Sequence, residues 1–125
     1  MSSFYETQPV DLEHQPWFVN CVVALETELE PRQLMASLLQ LEGDMGRRRV
    51  NRKGPRTIDV DLLLFGDTVI EEPDLTVPHA AMHQRRFVLE PLTEIAPGVE
   101  HPVLHRKVSE LRDSLPPGQA VRKIE

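Results

Sequence analysis

The sequence predicts an α+β fold, because its 125 residues contain segments typical of a strand, a helix, two strands and a helix, in that order. A valine-rich run over 18–29 indicates a strand, and leucines at helical spacing over 31–45 indicate a helix. Alternating residues at the start of 58–65 indicate a second strand. One domain over residues 1–125 is expected, since domains typically contain about 100–200 residues.

The strand over 18–29 is mostly apolar on both faces, which is typical of a central strand covered on both sides. Asn20 is the exception, a polar residue between Val19 and Cys21. Cys21 is the only cysteine, so no internal disulfide can form, and its apolar neighbours predict a buried side chain.

The helix over 31–45 is expected to begin at Pro31, because proline suits the first helical position, and to stop at Gly46. Its expected buried face consists of Leu34, Leu38, Leu41 and Met45. The other expected elements are an extended segment and loop over 1–17, a tight turn at Gly66-Asp67, an extended piece over 75–77, helices over 84–96 (interrupted at Pro91) and 107–115, and a tail over the last ten residues.

Asp59 and Asp61 are the sharpest chemical feature of the sequence. Residues two apart on a strand point to the same face, with Cα atoms about 6.5 Å apart. Such carboxylates repel each other unless a cation lies between them, and Mg²⁺ takes one or two carboxylates together with substrate phosphates. Leu63 and Phe65 continue the same face, so that face is expected to become buried. A solvated acidic face on an edge strand is the alternative.

Six of the 14 basic residues lie between Arg47 and Arg56, and no acidic residue separates them. The planar guanidinium of arginine suits phosphate oxygens, so a basic loop beside paired aspartates fits a magnesium-bound nucleotide polyphosphate. A solvated basic loop and a nucleic-acid patch are the alternatives. The net charge of −6 opposes a nucleic-acid partner, because an acidic protein repels phosphate backbones.

The composition also excludes several classes of protein. The longest apolar runs are shorter than the roughly 18–20 residues that span a bilayer, so no membrane partner is expected. The first residues, MSSFYETQPVDLE, lack the basic and then apolar pattern of a secretory leader. Together with the single cysteine, these features predict a cytoplasmic location.

The segment GPRTIDVDLLLFG, residues 54–66, closely resembles the characteristic motif of the 6-hydroxymethyl-7,8-dihydropterin pyrophosphokinase family of folate synthesis. Its G-P-R-x-x-D-x-D core is more specific than a D-x-D pair alone. FVNCVVALET resembles the third strand of the family, and LEGDMGRRRVNR resembles a helix end with the catalytic loop. LTVPHAAMHQRRFVLEPLTEIAP resembles the late nucleotide and pterin segment, so the resemblance covers almost all of residues 2–124.

The resemblance implies a ferredoxin-like α+β fold and the transfer of pyrophosphate from ATP to 6-hydroxymethyl-7,8-dihydropterin, which leaves AMP. It implies that Asp59 and Asp61 bind two Mg²⁺ ions, and that Asp61 is also a catalytic residue with Arg47 and Arg56. The residues implied for the nucleotide are Glu42, Arg49, Arg52, His79 and Arg85, and those implied for the pterin are Thr7, Val10, Asn20 and Phe87.

Members of this family usually begin with a strand, a helix and most of a second strand that have no counterpart here, so a fold truncated at its N-terminus is expected. In a ferredoxin-like sheet the first strand lies between the third and the fourth, and its loss leaves backbone groups unpaired at a cost of ~1–3 kcal/mol each. Three explanations are open: the sequence is a truncated version of a longer protein, another chain such as a second copy in a homo-oligomer fills the place of the missing strand, or the fold is rearranged. The alternative function is a non-catalytic homologue that binds ATP or a partner chain.

Overall fold

A computed structural model describes residues 1–8, 17–47, 59–118 and 120–124. The chain divides into two compact units, the first formed by 1–26 with 80–125 and the second by 27–79. Antiparallel sheets and helices confirm the predicted α+β class. The elements are β1 (Tyr5–Thr7), β2 (Phe18–Asn20), α1 (Pro31–Arg47), β3 (Ile70–Glu72), β4 (Leu75–Val77), a 3₁₀ turn (Met82–Gln84), α2 (Arg86–Ile95), α3 (Val108–Asp113) and β5 (Val121–Lys123).

The first unit is built around a three-stranded antiparallel sheet in the order β2-β1-β5. Tyr5 lies between Asn20 and Lys123 in the register of the sheet. The expected tail over the last ten residues is therefore wrong, because β5 pairs with β1. Three-residue strands are too short to show a periodic pattern, and the polar residues of β5 resemble those of a loop.

The predicted central strand over 18–29 is wrong in both length and position. Ladder pairing is confined to β2, which is an edge strand with β1 as its partner in the described part of the chain. One further bond, from the Ser2 N–H to the Val22 carbonyl at 2.8 Å, continues the contact beyond β2. Val19 is consequently 60% exposed, and Cys21 is half-buried rather than buried.

Helix α2 supplies more buried residues to the core of the first unit than any other described element. It spans Arg86–Ile95, starts two residues later than expected, and continues through Pro91, so the predicted interruption is wrong. Its apolar face packs with α3, the 3₁₀ turn and β1. The fully buried side chains include Met82, Leu89 and Val108, as periodicity predicted for the two helical positions.

The second unit contains α1 and the hairpin formed by β3 and β4. Helix α1 starts at Pro31 as predicted but runs through Gly46 to Arg47. Leu34 is buried on the expected face, whereas Leu41 is 49% exposed because that part of the helix lacks a covering element among the described residues. None of the described helices combines the length and apolar content needed to cross a bilayer.

The predicted strand over 58–65 is not a strand in the residues that can be described, 59–65. A strand requires ladder hydrogen bonds to a neighbour, and these residues form none within the described chain. Leu63 and Phe65 are only half-buried, so the expected burial of their face is incomplete. The predicted turn is confirmed: Gly66 has a φ of +54°, and the Thr68 N–H donates to the Phe65 carbonyl at 3.0 Å.

Glu94 of α2 connects the two ends of the first unit. Its carboxylate accepts hydrogen bonds from the Ser3 N–H at 2.5 Å and the Ser3 hydroxyl at 2.9 Å, and it forms an ion pair with Lys123 Nζ at 3.0 Å. The Ser3 N–H, followed by Lys123, lowers the pKa of Glu94 from 4.5 to about 2. Because the folded state favours the ionised carboxylate, Glu94 stabilises the fold above pH 4.5, and this stabilisation is lost as the pH falls towards 2.

We therefore expect Glu94→Gln to lower the thermal midpoint at neutral pH, because the amide keeps the shape but loses the charge. The difference from the parent chain should shrink as the pH falls from about 5 to about 2, measured by circular dichroism. Glu28→Gln is the matched control, because Glu28 is an exposed glutamate. This substitution should leave the thermal midpoint unchanged. A Glu94→Gln difference that stays constant across this pH range would contradict the assignment.

Candidate functional site

The second unit presents Asp59 and Asp61 to solvent. Both residues are exposed, whereas Val60 between them is half-buried, as expected for an extended segment. Among the residues that the structure describes, neither carboxylate has a hydrogen-bond or ion-pair partner. Because both side chains are exposed, a ligand can reach their oxygens from solvent.

Glu42 of α1 holds the backbone between the two aspartates. Its Oε2 accepts a hydrogen bond from the Val60 N–H at 2.8 Å, and the side chain is partly buried. The resemblance assigned Glu42 to the nucleotide, and the structure places one of its oxygens on the aspartate segment. A carboxylate in this position fixes the main chain from which Asp59 and Asp61 project.

His79 adjoins the same segment from the other end of the second unit. Its N–H donates to the Leu63 carbonyl at 2.9 Å, two residues beyond Asp61. The imidazole is half-buried. Four predicted site residues are thus brought to one segment of this unit, namely Asp59, Asp61, Glu42 and His79.

This arrangement fits an open magnesium site better than a closed metal site. Mg²⁺ commonly binds to one or two carboxylates and completes its shell with waters and substrate phosphates. The described residues contain no group of three or more histidine, cysteine, aspartate or glutamate side chains that could hold a metal ion. Two exposed carboxylates that lack a partner within the described ranges therefore match a cation that arrives with its phosphates.

A second cluster of predicted residues lies in the first unit. Thr7 on β1, Asn20 on β2 and Phe87 on α2 were each assigned to the pterin. The Asn20 Nδ2 donates to the Phe87 carbonyl at 2.7 Å, and the Thr7 hydroxyl lies 3.4 Å from the Asn20 Oδ1. Thr7 is 2% exposed, whereas Asn20 and Phe87 are only half-buried. The structure therefore brings these three residues together, with Asn20 at the centre.

Arg85 covers one face of the Phe87 ring. Its Cζ atom lies 5.5 Å from the ring centroid, a distance typical of a cation–π contact. The resemblance assigned Arg85 to the nucleotide and Phe87 to the pterin. Their contact places a positive charge directly beside the aromatic ring.

Four predicted site residues lie outside the described residues: Val10, Arg49, Arg52 and Arg56. Arg47 is the last residue of α1. The sequence reasoning missed two main-chain groups, the Val60 N–H and the Phe87 carbonyl, which hold Glu42 and Asn20. For the carbonyl, a signal was present: Pro91 stands four residues after Phe87 in a helical segment and cannot donate a hydrogen bond.

Comparison with known proteins gives a consistent match. The family described as 7,8-dihydro-6-hydroxymethylpterin-pyrophosphokinase matches residues 1–97. A 2-amino-4-hydroxy-6-hydroxymethyldihydropteridine pyrophosphokinase of Bacillus subtilis is 48% identical over 100 residues, which are 80% of this chain and 60% of the relative. The protein of the same name from Haemophilus influenzae is 47% identical over 95 residues, which are 76% of this chain and 59% of the relative.

A longer eukaryotic relative matches almost the whole chain. The folic acid synthesis protein FOL1 of Dictyostelium discoideum is 39% identical over 123 residues, which are 98% of this chain but 19% of the relative. The chain therefore spans about three fifths of the two bacterial relatives and about a fifth of the amoebal one.

The contact between Glu42 and Val60 predicts a role in divalent cation binding. Glu42→Ala should weaken the binding of Mn²⁺, used as a probe for Mg²⁺, by about tenfold, as for other residues that orient metal ligands. Electron paramagnetic resonance of free Mn²⁺ measures this affinity. Glu42→Gln should retain most of it, because the amide oxygen can still accept the hydrogen bond.

Gln40→Ala is the control from the same helix, at an exposed position two residues earlier. It should leave the Mn²⁺ affinity unchanged. Equal affinities for the parent chain and Glu42→Ala would show that Glu42 does not support the aspartates.

Proposed function

The chain belongs to the 7,8-dihydro-6-hydroxymethylpterin-pyrophosphokinase family, and on this premise we propose that it transfers pyrophosphate from ATP to 6-hydroxymethyl-7,8-dihydropterin. The hydroxymethyl oxygen forms a bond to the β-phosphorus of ATP. The bond from that phosphorus to the α,β-bridging oxygen breaks, and AMP leaves with the electron pair. The observation that carries the proposal is the exposed pair Asp59 and Asp61, which has no partner among the described residues and whose intervening Val60 N–H donates to Glu42.

Asp59 and Asp61 are the proposed ligands of two Mg²⁺ ions. When bound, the ions would neutralise the charge of the polyphosphate and lower the pKa of the attacking hydroxyl. Asp61 is also the proposed acceptor of the hydroxyl proton. Support comes from the exposure of both carboxylates and from the match between an aspartate pair and the ligand preference of Mg²⁺.

The basic segment that precedes the aspartates is proposed to neutralise the remaining negative charge of the polyphosphate. Phosphoryl transfer depends on positioning and charge neutralisation rather than on a covalent intermediate, and arginine supplies both. Arg47 and Arg56 are the proposed catalytic cations. The proposed nucleotide contacts are Arg49, Arg52, Glu42, His79 and Arg85.

Asn20 and Phe87 are the proposed centre of the pterin site. A carboxamide offers a donor and an acceptor side by side, which suits the amino and oxo groups of a pterin ring. The Phe87 ring offers an apolar face for stacking. Thr7 and Val10 are the further proposed contacts, and Thr7 is supported by its position beside the Asn20 Oδ1.

We further propose that the two units act as a single domain in the cytoplasm.

A second candidate function is binding of ATP or a partner chain without turnover, with a second copy of this chain as one such partner. The observation that favours it is the set of backbone groups on β2 and residues 59–65 that have no ladder partner among the described residues.

The first test is pterin-dependent release of AMP by the purified chain. Asp59→Ala and Asp61→Ala should each lower the rate by at least about 100-fold, because each removes a charge that holds the metal ions. Asp67→Ala is the control, an exposed aspartate at the neighbouring turn, and should keep the parent rate. Near-normal release from either aspartate variant would remove the metal-pair assignment.

A folded parent chain that binds ATP but releases no AMP would favour the binding function. Light scattering at several protein concentrations, with and without ATP, would then test association of two copies.

The second test separates the pterin site from the nucleotide site. Asn20→Ala should weaken pterin binding by about tenfold, the loss expected when hydrogen bonds to a partly buried ligand are removed. Its affinity for ATP should stay within about twofold of the parent value. Isothermal titration calorimetry with each ligand measures both, and an unchanged pterin affinity would count against the role of Asn20.

A further inference from the structure

Pro91 lies inside α2 and changes the hydrogen bonding of the turn before it. In an α-helix the carbonyl of residue i accepts from the N–H of residue i+4. Proline has no N–H, so the Phe87 carbonyl loses the donor that the helix would otherwise supply. The proline ring also crowds the carbonyl four residues earlier, which favours an outward tilt of that group.

The freed carbonyl is used by Asn20. The Asn20 Nδ2 donates to it at 2.7 Å, from a strand that is 67 residues away in the sequence. A carbonyl can only accept a hydrogen bond, so the asparagine must present its nitrogen, and not its oxygen, at this point. The oxygen is then directed towards the Thr7 hydroxyl at 3.4 Å.

Both ends of the Asn20 carboxamide are thereby assigned. One N–H of Nδ2 and one lone pair of Oδ1 remain for a ligand, in a fixed order. An asparagine without this contact could rotate by 180° and exchange donor for acceptor. The exchanged order would be mismatched to the same ligand edge.

We propose that Pro91 is a positioning residue that fixes the orientation of the Asn20 carboxamide for pterin recognition. The inference rests on the proposed function, since it takes the pterin as the ligand of Asn20. Pro91 acts through the Phe87 carbonyl and touches no reacting atom. A residue with an N–H at position 91 would compete with Asn20 for this carbonyl and, with the proline ring gone, would draw the carbonyl back towards the helix axis, which weakens its contact with Asn20.

Pro91→Val is the decisive substitution, because valine restores the N–H while retaining most of the buried volume. Pterin affinity should fall about threefold to tenfold, the effect of leaving one side chain to be ordered on binding. ATP affinity should stay unchanged. Thr93→Val is the control: it alters another buried residue of α2, whose hydroxyl has no hydrogen-bond partner in the described chain, and should not affect either ligand.

A double-mutant cycle separates positioning from general repacking of the helix. In the Asn20→Ala background, Pro91→Val should have no further effect on pterin affinity, since its route to the ligand is gone. Equal losses in both backgrounds would overturn the inference. The Asn20 side-chain amide gives a second readout by nuclear magnetic resonance: its hydrogen exchange should be slow in the parent chain and in Thr93→Val, and faster in Pro91→Val.

The outcomes distinguish this inference from the function on which it rests. If the parent chain binds pterin and Asn20→Ala weakens it, but Pro91→Val changes neither affinity nor amide exchange, the positioning role is wrong and the function stands. If Pro91→Val changes the amide exchange and the parent chain does not bind pterin, the contact is real and the assigned ligand is wrong. Circular dichroism of each variant confirms that the loss does not come from unfolding.

Discussion

Strand β1 is the constraint on which the first unit depends, because its three residues are paired on both sides. Tyr5 and Thr7 point to the core, where α2 packs against them. Antiparallel pairing fixes the register, and the register places Asn20 and Lys123 on either side of Tyr5. A slip by one residue would turn Thr7 outward and carry Asn20 away from the Phe87 carbonyl.

The helices and the hairpin strand β4 could be predicted from the sequence, whereas β1 and β5 could not. Helices α1, α2 and α3 each show apolar residues at helical spacing over at least one and a half turns, which identifies the element and its buried face. Strands β1 and β5 contain three residues each, and their partners lie far away in the sequence. Local patterns contain no information about such partners. The apolar run over 18–29 has the composition of a central strand, but composition does not show whether other elements cover the run in the fold.

The side chains of the candidate site could be predicted from the sequence, whereas the main-chain groups that hold them could not. Spacing singled out Asp59 and Asp61 as candidates, because two carboxylates on one face of an extended segment repel each other unless a cation lies between them, with a solvated acidic face as the alternative. Asn20 was found as a polar residue in an apolar run. The groups that hold these side chains belong to the main chain, the Val60 N–H and the Phe87 carbonyl. Main-chain groups are the same at every residue, so only the fold decides which of them remain available. Family membership and the antiparallel sheets agree on the α+β, ferredoxin-like class.

The pairing of β1 with β5 has a consequence for the order in which the chain can fold. Glu6 on β1 and Arg122 on β5 form an ion pair although they lie 116 positions apart in the sequence, and the sheet needs both strands before it is complete. On the ribosome, residues 121–123 emerge after all the other strands of this sheet, so the sheet of the first unit cannot be completed before they appear. The second unit is drawn from one continuous stretch, 27–79, and can form earlier. Until β5 arrives, β1 has an open side, and this interval is when the nascent chain is most exposed to strand pairing with other chains.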